Sequence, residues 1–308
     1  MLIAITPRTQ AAIPIWRGYA MRTASGRGGP SSGLGSERNG NSTRPTGPER
    51  WPLVSVVMPT LNEAQNLPSV LPRIPMWVHE VVVVDGGSTD GTVDIVRRLR
   101  DDAIVVHQRG RGKGDALITG FAAATGELIV TIDADGSTDP AELPAFVGAL
   151  LSGADFAKGS RFLQGGGSSD MEWYRCAGNH ALRMVTRWLF GGQFSDLCYG
   201  FNALWRTAVD RLDLDCDGFE IETLIALRAL KADLRITEVA SYEEPRIHGV
   251  SHLRTIRDGG RVLRTILAER FTRRRWLPEP WPVARPSRPG EVVPATTKRL
   301  VAVSVDGA

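Results

Sequence analysis

The chain has 308 residues, of which 42% are hydrophobic and 23% are charged. Its 37 basic and 34 acidic residues leave a net charge of only +3, so the chain as a whole is not a polycation. Its length is enough for one large domain or two small ones with a sizeable core. It contains no run of 18 or more apolar residues, so no transmembrane helix is expected. The three scattered cysteines lack a CxxC pair or a His cluster, which argues against a disulfide framework or zinc site and favours a reducing, cytoplasmic setting.

The first half of the chain predicts an α/β domain behind an unstructured start. Residues 1–50 are rich in Gly, Ser, Pro and Arg, show no apolar period, and are predicted to be a disordered N-terminal extension. Apolar strands then alternate with helices of about ten residues, which indicates a Rossmann-like, mostly parallel sheet covered by helices on both faces. The strands are predicted at 53–58, 81–84, 104–107 and 128–132, and the helices at 89–100, 114–124 and 140–151.

The second half is less regular, and the domain is predicted to extend over residues 51–252. It is predicted to contain strands at 154–159 and 234–239, a flexible loop at 165–169, and helices at 177–190 and 219–230. A basic amphipathic helix at 253–276 and a loosely ordered, Pro-rich tail at 277–308 are expected to follow.

Two carboxylates stand one residue apart at the end of the strand predicted at 128–132. These are Asp133 and Asp135, at the edge where parallel sheets bind their ligands. Mg²⁺ and Mn²⁺ bind carboxylate and phosphate oxygens together. The pair therefore suggests an enzyme that handles a nucleotide diphosphate through a divalent metal ion.

Four segments in order, each at a strand end, carry a family resemblance. They are Pro-Thr-Leu-Asn-Glu at 59–63, Val-Asp-Gly-Gly-Ser-Thr-Asp-Gly-Thr at 84–92, Gly-Lys-Gly-Asp-Ala-Leu at 112–117 and Asp-Ala-Asp at 133–135. Over residues 53–255 the chain resembles the family 2 glycosyltransferases, which are inverting nucleotide-sugar enzymes with the GT-A fold.

Within that family the chain is most similar to the dolichol-phosphate mannosyltransferase and polyprenyl-phosphate glycosyltransferase branch. The features that indicate this branch are Gly-Ser-Arg at 159–161, Asp-Leu-Cys-Tyr-Gly-Phe at 196–201, and Arg246 with Gly249, Ser251 and His252. The resemblance implies metal-dependent transfer of a hexosyl group from GDP-mannose or UDP-glucose to a polyprenyl-phosphate lipid.

The resemblance also implies roles for individual residues. The metal ligands would be Asp133, Asp135 and Ser137, the last at a position where related enzymes often carry a glutamine. The nucleotide would be bound by Pro59, Leu61, Glu63, Asp85, Lys113, Asp133, Ala134, Arg246 and His252. The acceptor phosphate would be bound by Arg161, Arg175 and Asn179, and the catalytic residues would be Asp196, Asp135 and Arg161.

Several of these residues also have simpler interpretations. Glu63 and Asp85 can cap the helices that follow them, Lys113 can be a solvated turn lysine, and Arg175 can be a surface arginine. Asp196 is either a general base or a group that positions the acceptor, because a phosphate acceptor is already anionic and needs no strong base.

The chain departs from the family pattern at four positions. Leu61 replaces a tyrosine, Gly86 an aspartate, Ser137 a glutamine and His252 a lysine. These departures leave the nucleotide base, guanine or uracil, and hence the sugar, unassigned.

The predicted C-terminal helix has an apolar row flanked by arginines, followed by Arg273–275 and Trp276. This pattern suits a membrane interface with anionic headgroups, and the alternative is a helix that packs on the domain. We therefore expect a peripheral protein on the inner face of the cell membrane, aided by a separate membrane-protein partner. No nucleic-acid partner is expected, because no recognition motif or aromatic platform accompanies the arginines.

Three other functions compete with transfer to a lipid phosphate. The first is transfer to a sugar hydroxyl or other soluble acceptor in cell-envelope glycan synthesis, and a sugar hydroxyl would need Asp196 as a base. A sugar-nucleotide pyrophosphorylase should carry a Gly-rich loop after its first strand, and residues 59–63 are not such a loop. The protein would be a non-catalytic binding module if the metal site were incomplete. The absence of a Gln-x-x-Arg-Trp signature from 53–255 argues against a processive polysaccharide synthase.

Overall fold

The structure is a computed structural model that describes residues 50–250 and 253–272. The predicted N-terminal extension up to residue 49, His252, Arg273–275 with Trp276, and the predicted tail lie outside the described residues.

A seven-stranded sheet forms the centre of the domain. Its strands are β1 (Val54–Thr60), β2 (Glu80–Asp85), β3 (Ile104–His107), β4 (Leu128–Thr131), β5 (Phe156–Ser160), β7 (Asn202–Trp205) and β8 (Ile236–Ala240), and two short strands, β6 (Gly167–Ser168) and β9 (Tyr242–Glu243), pair separately. The strand order is β3-β2-β1-β4-β7-β5-β8. Only β7 runs antiparallel to its neighbours among these described strands, so the sheet is mostly parallel, as predicted.

Eight α-helices surround the sheet in the described part of the chain. They are α1 (Leu67–Val70), α2 (Thr92–Leu99), α3 (Gly112–Ala123), α4 (Leu143–Leu151), α5 (Trp173–Phe190), α6 (Arg206–Leu212), α7 (Ile221–Lys231) and α8 (Thr255–Phe271). Short 3₁₀ turns at Leu71–Arg73 and Pro140–Glu142 precede β2 and α4.

The central strands are apolar at consecutive positions because both of their faces are covered. In β2, Val81 and Val83 pack into one core cluster, whereas Val82 and Val84 pack into the cluster on the opposite side. Side chains alternate between the two faces of a strand, so only an uninterrupted apolar run fills both clusters.

The less regular second half contains elements that the sequence pattern did not predict. The pattern contained no prediction for β7 or α6, and α5 begins at Trp173 rather than at residue 177. The segment predicted as a flexible loop at 165–169 contains β6, which pairs with β9. Strands of two to four residues have little periodicity of their own and are stabilised by partners distant in sequence, here β4 and β5 on either side of β7.

Helix α8 has apolar residues on two faces. Val262 and Ile266 are buried in a small cluster with Leu227 of α7 and with side chains of α5. Ile256 and Phe271 are 93% and 82% exposed. No helix of the described residues is long and apolar enough to span a membrane.

Candidate active site

The carboxyl ends of β1, β2 and β4 lie side by side and form one edge of the sheet. The parallel register places Thr60 beside Asp85, and Asp85 beside His107. The loops that follow these strands line a cavity of about 540 Å³. Twelve of the residues predicted from the sequence line it, namely Pro59, Leu61, Glu63, Lys113, Asp133, Ala134, Asp135, Ser137, Arg161, Arg175, Asn179 and Arg246. The structure thus brings these residues together, and their roles stay predictions.

Lys113 pairs with two carboxylates. Its Nζ lies 2.7 Å from Asp133 Oδ1 and 2.8 Å from Oε1 of Glu222, which begins α7 with Ile221. Burial by itself lowers the pKa of Lys113, but the facing carboxylates of Asp133 and Glu222 outweigh it and raise that pKa above its ordinary value. The ammonium is therefore a fixed positive charge beside Asp133 rather than a solvated turn lysine.

Asp135 is held from two sides. Ser137 donates its backbone N–H at 3.0 Å and its hydroxyl at 2.7 Å to Asp135 Oδ1. Arg246 donates from Nη1 to Asp135 Oδ2 at 3.1 Å and from Nη2 to a carboxylate oxygen of Glu63. Ser137 thus orients Asp135, and Arg246 bridges the loop after β1 and the loop after β4.

The acidic side chains at this edge supply few ligands for a divalent metal ion. The described residues contain no group of three or more His, Cys, Asp or Glu side chains that would hold a metal by themselves. Asp133 and Asp135 supply two carboxylates, each neutralised by a cation of the protein. Mg²⁺ is commonly held by one or two carboxylates together with waters and substrate phosphates, so this pair fits a metal ion that arrives with a diphosphate.

Asp85 lies beneath the cavity and does not line it. It accepts hydrogen bonds from the backbone N–H groups of Gly87 and Ser88, and Nδ1 of His107 lies 3.1 Å from its Oδ2. Burial raises the pKa of Asp85, but the hydrogen bonds outweigh it and lower that pKa below its ordinary value. These bonds brace the loop after β2 and do not cap α2, whose N-cap residue is Gly91. They do not test a contact with the nucleotide.

Asp196 and Arg161 form a buried ion pair at the cavity. Arg161 donates from Nε at 2.7 Å and from Nη2 at 3.1 Å to the two oxygens of Asp196, which is 0% exposed. Nη1 of Arg161 contacts Glu243 at 3.0 Å, and Nδ2 of Asn179 donates to Asp196 Oδ1 at 3.2 Å. Arg161 and Asn179 line the cavity, whereas Asp196 stands behind them.

Arg175 differs from Arg161 in having no carboxylate partner among the described residues. It lies in the first turn of α5, is partly exposed and lines the cavity. Its guanidinium is therefore free to bind an anion, and an arginine fork suits a phosphate group.

Sequence reasoning missed two acidic residues of the site. Glu222 is 3% exposed within the otherwise apolar start of α7, and Glu243 of β9 pairs with Arg161. The available signal for Glu222 was a carboxylate in a mainly apolar helical run, which also contains Glu220, because such a group is rarely buried without a cationic partner. Glu243 had no such signal, since its partner is known only once β9 is placed.

Comparison with known proteins gives a consistent result. The model of the family described as Glycosyl transferase family 2 matches residues 55–212. A polyprenol monophosphomannose synthase of Mycolicibacterium smegmatis is 32% identical over 211 residues, which cover 64% of this chain and 80% of that protein. A dolichol-phosphate mannosyltransferase of Pyrococcus furiosus is 32% identical over 177 residues, which cover 54% of this chain and 50% of that protein.

A solved structure with a similar fold contains a metal ion and a nucleotide. It is glucosyl-3-phosphoglycerate synthase from Mycobacterium tuberculosis in complex with Mn²⁺, UDP and glucosyl-3-phosphoglycerate. The TM-score is 0.56 at 25% sequence identity, over 71% of this chain and 80% of that chain.

The mostly parallel sheet, its carboxylate edge and these similarities define a glycosyltransferase with the GT-A fold. More narrowly, the chain belongs to glycosyl transferase family 2 and is similar to its polyprenol- and dolichol-phosphate mannosyltransferases. The family, the fold and the enzyme class expected from the sequence are confirmed.

Proposed function

We propose that the protein transfers a hexosyl group, mannose or glucose, from a nucleotide diphosphate sugar to a polyprenyl phosphate, with inversion and with the help of Mg²⁺ or Mn²⁺. The observation that carries the proposal is the charge arrangement of the cavity. The cavity is lined by Asp133 and Asp135, which have paired cations, and also by Arg161 and Arg175. A donor diphosphate and an acceptor phosphate would each find cationic partners in this one space.

The donor side would stabilise the leaving group. A metal ion on Asp133 and Asp135 would supply neutralisation of the charge that grows on the departing nucleotide diphosphate. Lys113 stands beside Asp133 and would add a fixed positive charge, while Ser137 keeps Asp135 oriented. The Mn²⁺ and UDP of the structurally similar synthase support this assignment.

The acceptor side favours a group that is already ionised. An oxygen of the acceptor phosphate would attack the anomeric carbon as the bond to the diphosphate breaks on the opposite face. Arg175 is free to bind that phosphate, and Arg161 is held in place by Asp196 and Glu243. Asp196 therefore acts as a positioning group in this proposal, because it does not line the cavity.

A soluble acceptor that carries a phosphate or carboxylate is the second candidate. The structurally similar synthase is bound to glucosyl-3-phosphoglycerate, so the same fold accommodates a small anionic acceptor. The two sequence relatives named for polyprenol and dolichol phosphate favour the lipid.

The exposed face of α8 would place the protein on the inner face of the cell membrane. Ile256 and Phe271 project from a helix that also carries five exposed arginines, Arg254 (at its N-cap), Arg257, Arg261, Arg264 and Arg270. Apolar side chains bordered by arginines suit an interface with anionic headgroups. A separate membrane-protein partner would be consistent with this peripheral attachment.

One donor-and-acceptor screen tests the proposal. The full chain is incubated with radiolabelled GDP-mannose or UDP-glucose, polyprenyl phosphate or 3-phosphoglycerate, and MgCl₂, MnCl₂ or EDTA. We expect label in a lipid that mild acid cleaves, with metal and not with EDTA. Asp135→Asn should lower the rate by about 10²-fold or more, since it removes a carboxylate from the diphosphate site.

The matched control is Asp94→Asn, the same change at an exposed residue of α2 with no contact to the cavity. This variant should retain the wild-type rate. Label found only in a water-soluble product would reject the lipid acceptor, and full activity of Asp135→Asn would reject the metal role.

A further inference from the structure

Asn66 makes its side-chain contacts across the nucleotide site rather than within its own helix. It is the N-cap residue of α1, yet its side chain makes no capping hydrogen bond. Instead its Oδ1 accepts the backbone N–H of His248 at 2.8 Å, and its Nδ2 donates to the His248 carbonyl at 3.1 Å. The same Nδ2 donates to Glu63 Oε2 at 2.6 Å, and Asn66 is only 2% exposed.

The segment that Asn66 holds, residues 244–248, crosses the metal-side loop and is called the strap below. It has no regular secondary structure, and most of its residues are exposed. Its backbone is tied to that loop by Glu244 N–H to the Ser137 carbonyl at 2.8 Å and by Ile247 N–H to the Asp135 carbonyl at 3.2 Å. The two hydrogen bonds between Asn66 and His248 fix the C-terminal end of the strap.

Arg246, within the strap, bridges Glu63 and Asp135 through charged contacts, and its Nε donates to the His248 carbonyl at 2.7 Å. A metal ion that reaches the site would compete with Arg246 for Asp135. A diphosphate would compete with the two carboxylates for Arg246. The amide of Asn66 is neutral, and both of its strap contacts are to backbone groups. The two hydrogen bonds to His248 therefore do not use the carboxylates for which a substrate would compete.

We propose that Asn66 is a positioning residue that holds His248 through two hydrogen bonds. It keeps the strap over the nucleotide site while Arg246 exchanges its carboxylate partners for phosphate oxygens. This inference rests on the proposed function for the nature of the ligand. The two hydrogen bonds between Asn66 and His248 are a property of the protein alone.

The test compares Asn66→Asp with Gln65→Glu. The first change removes both donated hydrogen bonds and sets a carboxylate against Glu63. The second makes the same amide-to-carboxylate change one residue earlier, where the side chain is exposed. In Asn66→Asp we expect the amide hydrogens of peptide 244–250 to exchange about tenfold faster than in the wild type, because two hydrogen bonds are lost. The donor KM should rise about tenfold with kcat changed far less, and Gln65→Glu should match the wild type.

A second pair keeps the test valid if the Asn66 variant does not fold. His248→Pro removes the N–H that Asn66 accepts, and Val250→Pro removes an N–H that donates to no described residue. Faster amide hydrogen exchange of peptide 244–250 in His248→Pro, but not in Val250→Pro, supports the proposed role of the hydrogen bonds between Asn66 and His248. Unchanged exchange in both Asn66→Asp and His248→Pro overturns it. The exchange readout needs no turnover, so a failure of the proposed reaction would be seen separately, as a lack of transfer to every acceptor.

Discussion

The carboxylate of Asp196 is fully buried and still charged. Burial raises the pKa of Asp196, but the Arg161 guanidinium, the Lys158 ammonium and the Cys198 backbone N–H outweigh it and lower that pKa below its ordinary value. A carboxylate with these partners binds a proton weakly, and the cavity-lining residues that contact it are Arg161 and Asn179. We infer that its contribution is to hold Arg161 in position.

Asp196→Asn separates this role from that of a general base. Without the charge of Asp196, Arg161 loses one of its two carboxylate partners and its orientation, so the acceptor KM should rise by about tenfold while the donor KM stays unchanged. Steady-state kinetics with each substrate varied in turn give both constants. Removal of a general base would instead lower kcat by about 10²–10⁴-fold at an unchanged acceptor KM.

At the scale of elements, α8 has one face that packs on the domain and one that does not. The packing interpretation therefore describes the first face, and the membrane interpretation of the other face stays a prediction. Val262 and Ile266 make it a packing helix, and the exposed row that includes Ile256 leaves it an apolar outer face.

The outer face can be tested with Ile256→Asp. We expect this variant to sediment several-fold less with vesicles that contain an anionic phospholipid, because it places a negative charge in the proposed interface. Met76→Asp is the matched control, since Met76 is 89% exposed and lies far from α8 in sequence, before β2. Equal sedimentation of the two variants and the wild type would contradict a membrane role for α8.

The inner face of α8 depends on a buried ion-pair network. Glu269 lies 2.8 Å from Arg228 and 2.7 Å from Lys231 of α7. Burial raises the pKa of Glu269, but the hydrogen bonds and positive charges of Lys231 and Arg228 outweigh it and leave that pKa below its ordinary value. A depressed carboxylate pKa stabilises the fold above the unfolded-state pKa of about 4.3, and that stability is lost as the pH falls through the folded-state value.

Glu269→Gln should therefore lower the free energy of unfolding by about 3 kcal/mol at pH 7, and the difference from the wild type should shrink below about pH 4. Urea unfolding at both pH values measures it. Glu127→Gln, which removes an exposed pair with Arg50, should cost less than about 1 kcal/mol. A difference between wild type and Glu269→Gln that does not depend on pH would show that the charge of Glu269 contributes nothing.

At the scale of the whole molecule, the site edge depends on how closely α3 packs against the sheet. A Cβ atom at Gly120 of α3 would lie 2.4 Å from Val57 Cγ1 of β1 and 2.9 Å from Val84 Cγ2 of β2. Gly120 thus permits α3, which carries Lys113, to lie against the two strands that end at the cavity.

Two glycine-to-alanine changes in helices should consequently have opposite effects on global stability. Gly120→Ala is expected to destabilise the protein by about 1–3 kcal/mol through overpacking. Gly148→Ala in α4, where a Cβ would meet no atom within 4 Å, is expected to stabilise it by about 0.5–1 kcal/mol through helix propensity. Thermal and urea unfolding measure both, and a shift of the same sign in both variants would contradict the packing argument.

The amino-acid sequence by itself determined the fold class, the first four strands and the ordered motifs that identify the family. These features depend on local periodicity and on short segments whose spacing is visible in one dimension. Only the tertiary structure decided the charge pairing of Lys113 with Glu222 and of Arg246 with Glu63, the latter 183 positions apart. It also decided that β7 inserts antiparallel between β4 and β5, and that Asp196 lies behind Arg161. Ion pairing and burial depend on contacts between residues distant along the chain, which no local pattern specifies.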